Sequence, residues 1–532
     1  MSDIENLLLL LAILAILAPI TKWLHIAQPI GFVLGGLILS LIPAFPSVSL
    51  DPEIIFLLFL PPLLYIQSFF TSWRNFRREL RPIIFLAVGL VLFTTVGIGY
   101  LAHAVIPSLP LAAGFVLGAI VSSPDAVAVA GVSQQLRLPH RLVTILEGES
   151  LVNDATSLVA LSFALSALAS GQFSFAAASF RFFGVASGGI AVGLITGWLM
   201  LRLRERVRDE SLSLLLSLLS PYAAYIPADR LGFSGVLAAV SAGLFLGWRL
   251  PRHLTYSMRL QGAALWRMIE FILNGLIFLL IGLQLKVVVA QVKERYHVWQ
   301  LALFAVVICL GVILLRPLWI FLMVPLQRFL IPGLRRRDPV PPLSFQAVLS
   351  WSGIRGVVSL AAALGLNQSL EGGQPFPSRE LIIYLTFCVI IATLVLQGLT
   401  FPWLVRRLGV RETANHHRAE RTARHKLASV ALAALEAHPA TADGEPEGRE
   451  SLRTIFQRRL REAEEELLES HESNRQRESA IAASRLRLAT LAAEREELFR
   501  QRLADESPDS VLLKLQQEID FEEARLRLGL GT

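Results

Sequence analysis

A chain of 532 residues that is 54% hydrophobic, with mean hydropathy +0.57, is far more apolar than an ordinary soluble domain. Residues 411–532 hold 20 Lys/Arg against 24 Asp/Glu, whereas residues 1–410 hold 29 against 18, so the basic part is the apolar part. That charge concerns membrane topology and not nucleic acid, and two cysteines buried in apolar runs, Cys309 and Cys388, exclude a disulfide framework or a thiolate metal site.

In chain order, thirteen candidate spans are predicted at roughly 5–23, 29–45, 53–71, 82–106, 111–134, 145–170, 180–202, 211–228, 233–250, 262–287, 297–327, 343–367 and 380–406. The first run, "NLLLLLAILAILAPITKW", has no basic leader and is read as a retained span. Connections after odd-numbered spans, such as "TSWRNFRRELRP" and "RLRERVRDE", are rich in Arg. Those after even-numbered spans, such as "PAFPSVSLDPE" and "NQSLEGGQPFPSRE", are poor in it. Positive loops stay in the cytoplasm, so the expected topology has the N-terminus outside and the C-terminal tail inside. The fold class expected is therefore an all-α polytopic protein of the inner cell membrane. It divides into a transmembrane part over 1–410 and a charged helical cytoplasmic tail over 411–532, in which "RRLREAEEELLES" and "LATLAAEREELFRQRL" read as a solvated hairpin or coiled coil.

Ionisable residues at membrane depth mark pathways or buried pairs. Five fall there: Asp125, Glu149, Asp154, Arg316 and Arg355, with Asp229 nearer a span end. In "EGESLVND", Ser150 and Asp154 share one helix face, and Glu149 and Asn153 share a face turned by ~100°. A carboxylate backed by a hydroxyl suits a desolvated Na⁺, which takes oxygen ligands. A Ser150 hydroxyl bonded back to its own helix fits the sequence as well. Glu149 needs a buried cation, since an unpaired buried carboxylate takes up a proton. Arg316, in "GVILLRPLWIFLMV", keeps its charge and is the economical partner, unless it snorkels to an interface; the pairing leaves Asp154 open.

Two spans do not read as plain helices. "GAIVSSPDAVAVAGV" sets Pro124 in the middle of span 5, and "VLSWSGIRGVVSLAAALG" sets Gly353 and Gly356 around Arg355 in span 12. Span 12 lies seven spans after span 5, and an odd shift reverses orientation, so the two breaks match an inverted repeat with crossing broken helices. At such a crossing Asp125 is placed to neutralise helix N-termini and Arg355 to neutralise C-termini.

"GAIVSSPDAVAV", "LEGESLVNDATSLV", "LGFSGVLAAVSAGLFLG", "NGLIFLLIGLQL", "SWSGIRGVVSLAAAL" and "TLVLQGLTFPWLVRRL" together resemble the signature segments of sodium/proton antiporters of the monovalent cation:proton antiporter-1 family, across residues 1–410. The resemblance implies a homodimer with a mobile core moving against a dimerisation domain, and no cofactor beyond the transported ions. It makes Asp154 the ion- and proton-binding carboxylate and Asn153 its motif partner. Ser150 and Asp125 join Asp154 around Na⁺, Glu149 and Arg316 form a buried ion pair, and Arg355 stands in the broken span 12. It also implies an electroneutral cycle. The sequence departs from the family pattern twice. Ile66 and Gln67 follow "LPP" in span 3 where a carboxylate is usual, and Pro124 precedes Asp125 where a Thr is usual; both bear on ion preference.

The function expected is a secondary antiporter exchanging Na⁺ (also Li⁺ or K⁺) for H⁺, serving pH and sodium homeostasis. The rival class is a cation channel or a membrane sensor with a signalling tail, but one polar cluster and inverted halves favour alternating access. No nucleotide loop or nucleophile–base signature points to an enzyme. His25, His103 and His140 lie near span ends and read as interface residues.

Overall fold

Hydrophobic runs of this length can bury their backbone polar groups in a bilayer only by closing every hydrogen bond within the segment, which selects helices. The structure, a computed structural model of the chain, describes residues 3–24, 26–42, 55–125, 138–170, 175–330, 340–367, 369, 376–410, 414–437, 446–467, 482, 486–497, 500 and 509–530. His25 lies outside the described residues. The chain forms two compact units, Met1–Glu412 and Thr413–Thr532.

The first unit runs α1 (Asp3–Trp23), α2 (Gln28–Ser40), α3 (Leu60–Phe70), the short α4 (Trp73–Arg78), α5 (Leu80–Val105), α6 (Leu111–Ser122), α7 (His140–Ser170) and α8 (Phe175–Arg206). It continues with α9 (Glu210–Arg230), α10 (Gly235–Arg249), α11 (Tyr256–Lys293), α12 (Val298–Leu330), α13 (Leu343–Trp351), α14 (Val357–Leu364) and α15 (Arg379–Leu408). Among the described residues, eight helices are long and apolar enough to cross a membrane, and α2, α6 and the stretch Leu57–Phe70 are shorter apolar helices. Their outer faces carry bare apolar side chains, for example Leu8 (61% exposed), Phe183 (69%) and Leu314 (62%). In water such a surface would aggregate; facing lipid it is ordinary.

Side-chain caps set several starts. Asp209 accepts from the Leu212 N–H at the head of α9, Ser234 from Leu237 at α10, and Thr255 from Met258 at α11. Gly409, in the left-handed region at φ 64°, closes α15. Where the helices depart from expectation the reasons are local. Helices α11 and α12 run past the apolar stretches at 262–287 and 297–327, because hydropathy sees only the lipid-facing middle of a helix whose ends are polar. α9 stays helical through Pro221 and Pro227. In span 5, read as interrupted at Pro124, α6 stops at Ser122, because the Pro124 ring pushes the chain before it into an extended conformation, with Ser123 at φ −81°, ψ 115°. Residues 126–137 lie outside the described residues.

In the second unit, helices Ala414–Ala437, Pro446–Leu467, 486–497 and Asp509–Leu530 are described. Arg487 grips Glu522 at 2.8 and 3.0 Å, and Arg495 reaches Asp520 and Glu523, each at 2.6 Å. The Arg487 hydrogen bond holds the Glu522 carboxyl below the usual range, and Arg527 with Arg495 does the same for Glu523. These pairs are solvent-exposed and so contribute little each.

One close helix crossing in the first unit joins α2 to α11. A side chain at Gly36 would run into the Leu279 carbonyl, and one at Gly282 into the Val33 carbonyl. Gly282→Val is expected to destabilise by more than the ~1–3 kcal/mol typical of overpacking, since backbone cannot yield as a side chain can. The check is heating in detergent followed by size exclusion; an unchanged melting profile would show that the crossing tolerates separation.

Candidate functional site

The site forms where the two interrupted spans meet. α13 ends at Trp351, residues 352–356 are not helical, and α14 begins at Val357. The interruption of span 5 lies against this break, with the Asp125 N–H donating to the Ile354 carbonyl at 2.7 Å. The Asp125 carboxylate accepts from the Val357 N–H at 3.3 Å, at the partly positive end of α14. The approach is close enough that a Cβ at Gly356 would strike that carboxylate, so glycine is required there. On the opposite side Arg355, 1% exposed, donates through Nε to the Val121 carbonyl in the last turn of α6 at 3.0 Å. Its guanidinium also touches the Gly353 carbonyl. Its own N–H is held by Thr393 Oγ1 at 3.1 Å. Each break thus offers a helix end to the other, and each end meets a side chain of opposite charge.

Helix α7 runs beside this crossing. Asn153 faces the span 5 break, donating through Nδ2 to the Pro124 carbonyl at 3.1 Å. The Ser123 hydroxyl lies 2.6 Å from Asp154 Oδ1 and 2.9 Å from Asn153 Oδ1, sharing one proton between them. Asp154 is 6% exposed, and among the described residues no arginine, lysine or histidine pairs with it. A cavity with about 20 Å³ of room for the centre of a water-sized body lies over it, enough for one water or one small ion. Asp125, Ser150, Ser123, Pro124 and Gly356 line it, together with Gln67 of α3 and Asn274 of α11.

One turn back on α7, on the other face, Glu149 is bound by both terminal nitrogens of Arg316 at 2.5 and 2.7 Å. Arg316 also donates to the Leu349 carbonyl at 3.0 Å, tying α7 and α12 to α13. Both side chains are at most 2% exposed. The pair is bidentate with further donors used, which is the geometry in which a buried ion pair can offset its desolvation.

The structure therefore gathers Asp125, Ser150 and Asp154 at one cavity, sets Asn153 on Ser123 and Pro124 of its lining, sets Glu149 on Arg316, and puts Arg355 at the helix break. Asp229 is exposed at the end of α9. His103 binds the Leu109 carbonyl at 2.8 Å, and His140 meets Asn75, so neither reaches the cavity. Sequence reasoning passed over Ser123; the adjacent hydroxyls of "SSPD" were its signal. It named Gln67 only for what it replaces, whereas the structure sets its amide at the cavity. Asn274 opens the quoted segment "NGLIFLLIGLQL" but, in a span read as plain helix, was given no role. Among the described residues no group of three or more His, Cys, Asp or Glu could hold a metal ion.

Discontinuous helices that meet inside an otherwise continuous apolar helical bundle, with an acidic cavity where they meet, are the architecture of a helical membrane transporter. The model of the family described as "Sodium/hydrogen exchanger, transmembrane" matches residues 9–407, and the chain belongs to that family, whose members are transporters rather than enzymes. It is 34% identical over 506 residues to the uncharacterized Na(+)/H(+) exchanger YjcE of Escherichia coli, covering 90% of each chain. It is 37% identical over 376 residues to a sodium, potassium, lithium and rubidium/H(+) antiporter of Bacillus pumilus, a match covering 68% of this chain and 56% of that one. Among solved structures, the sodium proton antiporter MjNhaP1 of Methanocaldococcus jannaschii shares the fold, with TM-score 0.60 and 23% identity over 76% of this chain and 98% of that one.

Removing Arg316 alone, as Arg316→Leu, is expected to cost ~3–5 kcal/mol by stranding Glu149. Arg316→Leu with Glu149→Gln is expected to recover most of that. Thermal melts of the purified variants decide it, and equal losses in both would show that the pair matters for something other than charge.

Proposed function

We propose that the protein is a secondary antiporter that exchanges Na⁺, and also Li⁺ or K⁺, for H⁺, with Asp154 as the single carrier of either ion. The observation that carries this reading is the contrast on one helix between Glu149, saturated by Arg316, and Asp154, buried at a small cavity with, among the described residues, only a hydroxyl donor. Bare charge at depth in a low-dielectric interior costs at least several kcal/mol, so Asp154 crosses the barrier only when neutralised. A proton does this by bonding to Oδ2 or Oδ1. A monovalent cation does it by sitting in the cavity, ligated by Asp154, Ser150 and Asp125, with the Ser123 hydroxyl and the Pro124 carbonyl in reach as neutral oxygens.

The two ligands exclude one another on one carboxylate. Exchange of one for the other at alternate faces is a 1:1, electroneutral cycle, with Asn153 holding the span 5 break and the Glu149–Arg316 pair fixing α7 to its neighbours. The Gln67 amide, where a carboxylate is usual, leaves the approach less negative and lowers attraction for every cation alike. The breaks in spans 5 and 12 support an inverted repeat, and the Arg-rich connections after odd-numbered spans support thirteen spans with the N-terminus outside and a cytoplasmic tail. The setting that fits is a homodimer in the inner cell membrane that exports sodium and regulates internal pH. The relative whose printed substrates are sodium, potassium, lithium and rubidium supports monovalent-cation breadth.

Dye-reported proton flux in everted vesicles or proteoliposomes tests the reading. Asp154→Asn is expected to reduce Na⁺- and Li⁺-driven flux at least ~100-fold, since general loss of an essential proton carrier removes the cycle; retained exchange in that variant would end the proposal. In the native protein the apparent KM for Na⁺ is expected to rise as pH falls, approaching roughly tenfold per unit on the acidic limb by mass action. A KM indifferent to pH would mean that proton and cation occupy separate groups.

A further inference from the structure

A second cavity lies away from the ion site. It encloses about 640 Å³ between α5 and α7 on one side and α8 and α10 on the other. Its walls are apolar. Val88 and Val159 face Ile190 and Leu237 across it, and the hydroxyl of Thr156, one of few polar groups present, is turned back to the Val152 carbonyl. Such walls hold water poorly and offer nothing to the backbone of a peptide. One end is different. Trp73 and Trp248 close it, the Arg249 guanidinium stacks 4.1 Å from the Trp248 ring centroid, and Trp73 opens the helix "WRNFRR" with exposed Arg74, Arg77 and Arg78. The neighbouring Glu79 does not cancel this charge, because it is engaged by Arg141 at 3.0 Å.

From Leu237 to Trp248 the groove follows α10 for about 17 Å at ~1.5 Å per residue, close to one leaflet of a ~30 Å hydrocarbon core. Tryptophans with arginines mark the headgroup level, and basic pockets between helices take lipid headgroups. We propose that this groove holds an acyl chain of one phospholipid whose anionic headgroup rests on the Trp73–Arg77–Arg249 edge. The helix that carries Asp154 forms one wall through Val152, Ala155 and Val159, while α8 and α10 form the other. A lipid lodged between them fills the gap that any displacement of α7 against α8 and α10 must change, so ion exchange depends on its presence. Occupancy is independent of what Asp154 carries; only the effect on rate rests on the antiport reading.

The test uses the full chain reconstituted in phosphatidylethanolamine with phosphatidylglycerol, or in phosphatidylcholine alone, followed by native mass spectrometry and by flux. One retained phosphatidylglycerol per chain is expected, with exchange several-fold faster than in phosphatidylcholine. Ile190→Trp fills the groove from a position 42% exposed, where the fold tolerates bulk; Ala186→Leu is a milder filling of the same wall. Both are expected to lower retention about tenfold and to remove the lipid dependence of the rate. Arg77→Gln with Arg249→Gln is expected to keep a bound phospholipid but lose the preference for phosphatidylglycerol. Equal retention by native protein and both filled variants would overturn the proposal. So would indifference to headgroup in the native protein, or an Ile190→Cys cross-link between two chains, which would put a second copy in the groove. A native protein that retains the phospholipid but shows no Na⁺-driven flux in either lipid mixture would count against the ion reading and leave the lipid site standing.

Discussion

The structure is organised by the cost of charge at membrane depth. A carboxylate or guanidinium without a partner in a low-dielectric interior is destabilising by several kcal/mol, so each must be neutralised by another charge, a helix end or a mobile ion. Glu149 and Arg316 neutralise one another through two hydrogen bonds. Asp125 is met by the N–H end of α14, and Arg355 by carbonyls of the final turn of α6 and of its own break. These contacts tie α6, α7, α12, α13 and α14 together around one point. Among the described residues Asp154 has only the Ser123 hydroxyl, which gives the cavity beside it a chemical meaning.

The breaks and the site are one feature. An unwound segment inside a bilayer is tolerated only where its freed polar groups are satisfied within the protein. Here each unwound segment satisfies the other, through the bond from the Asp125 N–H to the Ile354 carbonyl and through Asn153 on the Pro124 carbonyl. Pro124 and Gly356 therefore act twice. The proline ends α6 and leaves a carbonyl facing α7, and the glycine starts α14 while leaving room for the Asp125 carboxylate. A conventional helix through either span would present side chains only, with its backbone oxygens all consumed by its own ladder.

Much of this was legible in the residues. Apolar length and the Arg-rich loops gave the helices their approximate places, and the exceptions were those where a capped or polar end carries a helix past its apolar middle, as in α11. The pairing of Glu149 with Arg316 was the economical reading of a few opposite charges at depth, with an Arg316 that snorkels to an interface as its alternative. The 3.6-residue period separates the Ser150–Asp154 face from the Glu149–Asn153 face on α7. Ser123 was harder. It lies 31 positions from Asp154, and nothing in its neighbours distinguishes it from Ser122, whose hydroxyl bonds back to Ala119 instead. Asn274 belongs to an apolar helix whose pattern predicts packing, and only the approach of α11 to the cavity gives its amide a place there.

Sequence by itself settled what local chemistry can settle: that the chain is helical and membrane-borne, which segments break, and which side chains carry charge into the apolar interior. Those follow from hydropathy, backbone stereochemistry and residue identity, each a property of a few neighbouring positions. Tertiary structure alone decided which helix end meets which charge, that Ser123 and not Ser122 reaches Asp154, and that α5, α7, α8 and α10 leave an apolar groove between them. Those depend on how segments distant in sequence cross, and a crossing is set by packing and close backbone approach across the whole bundle, which no window of residues contains.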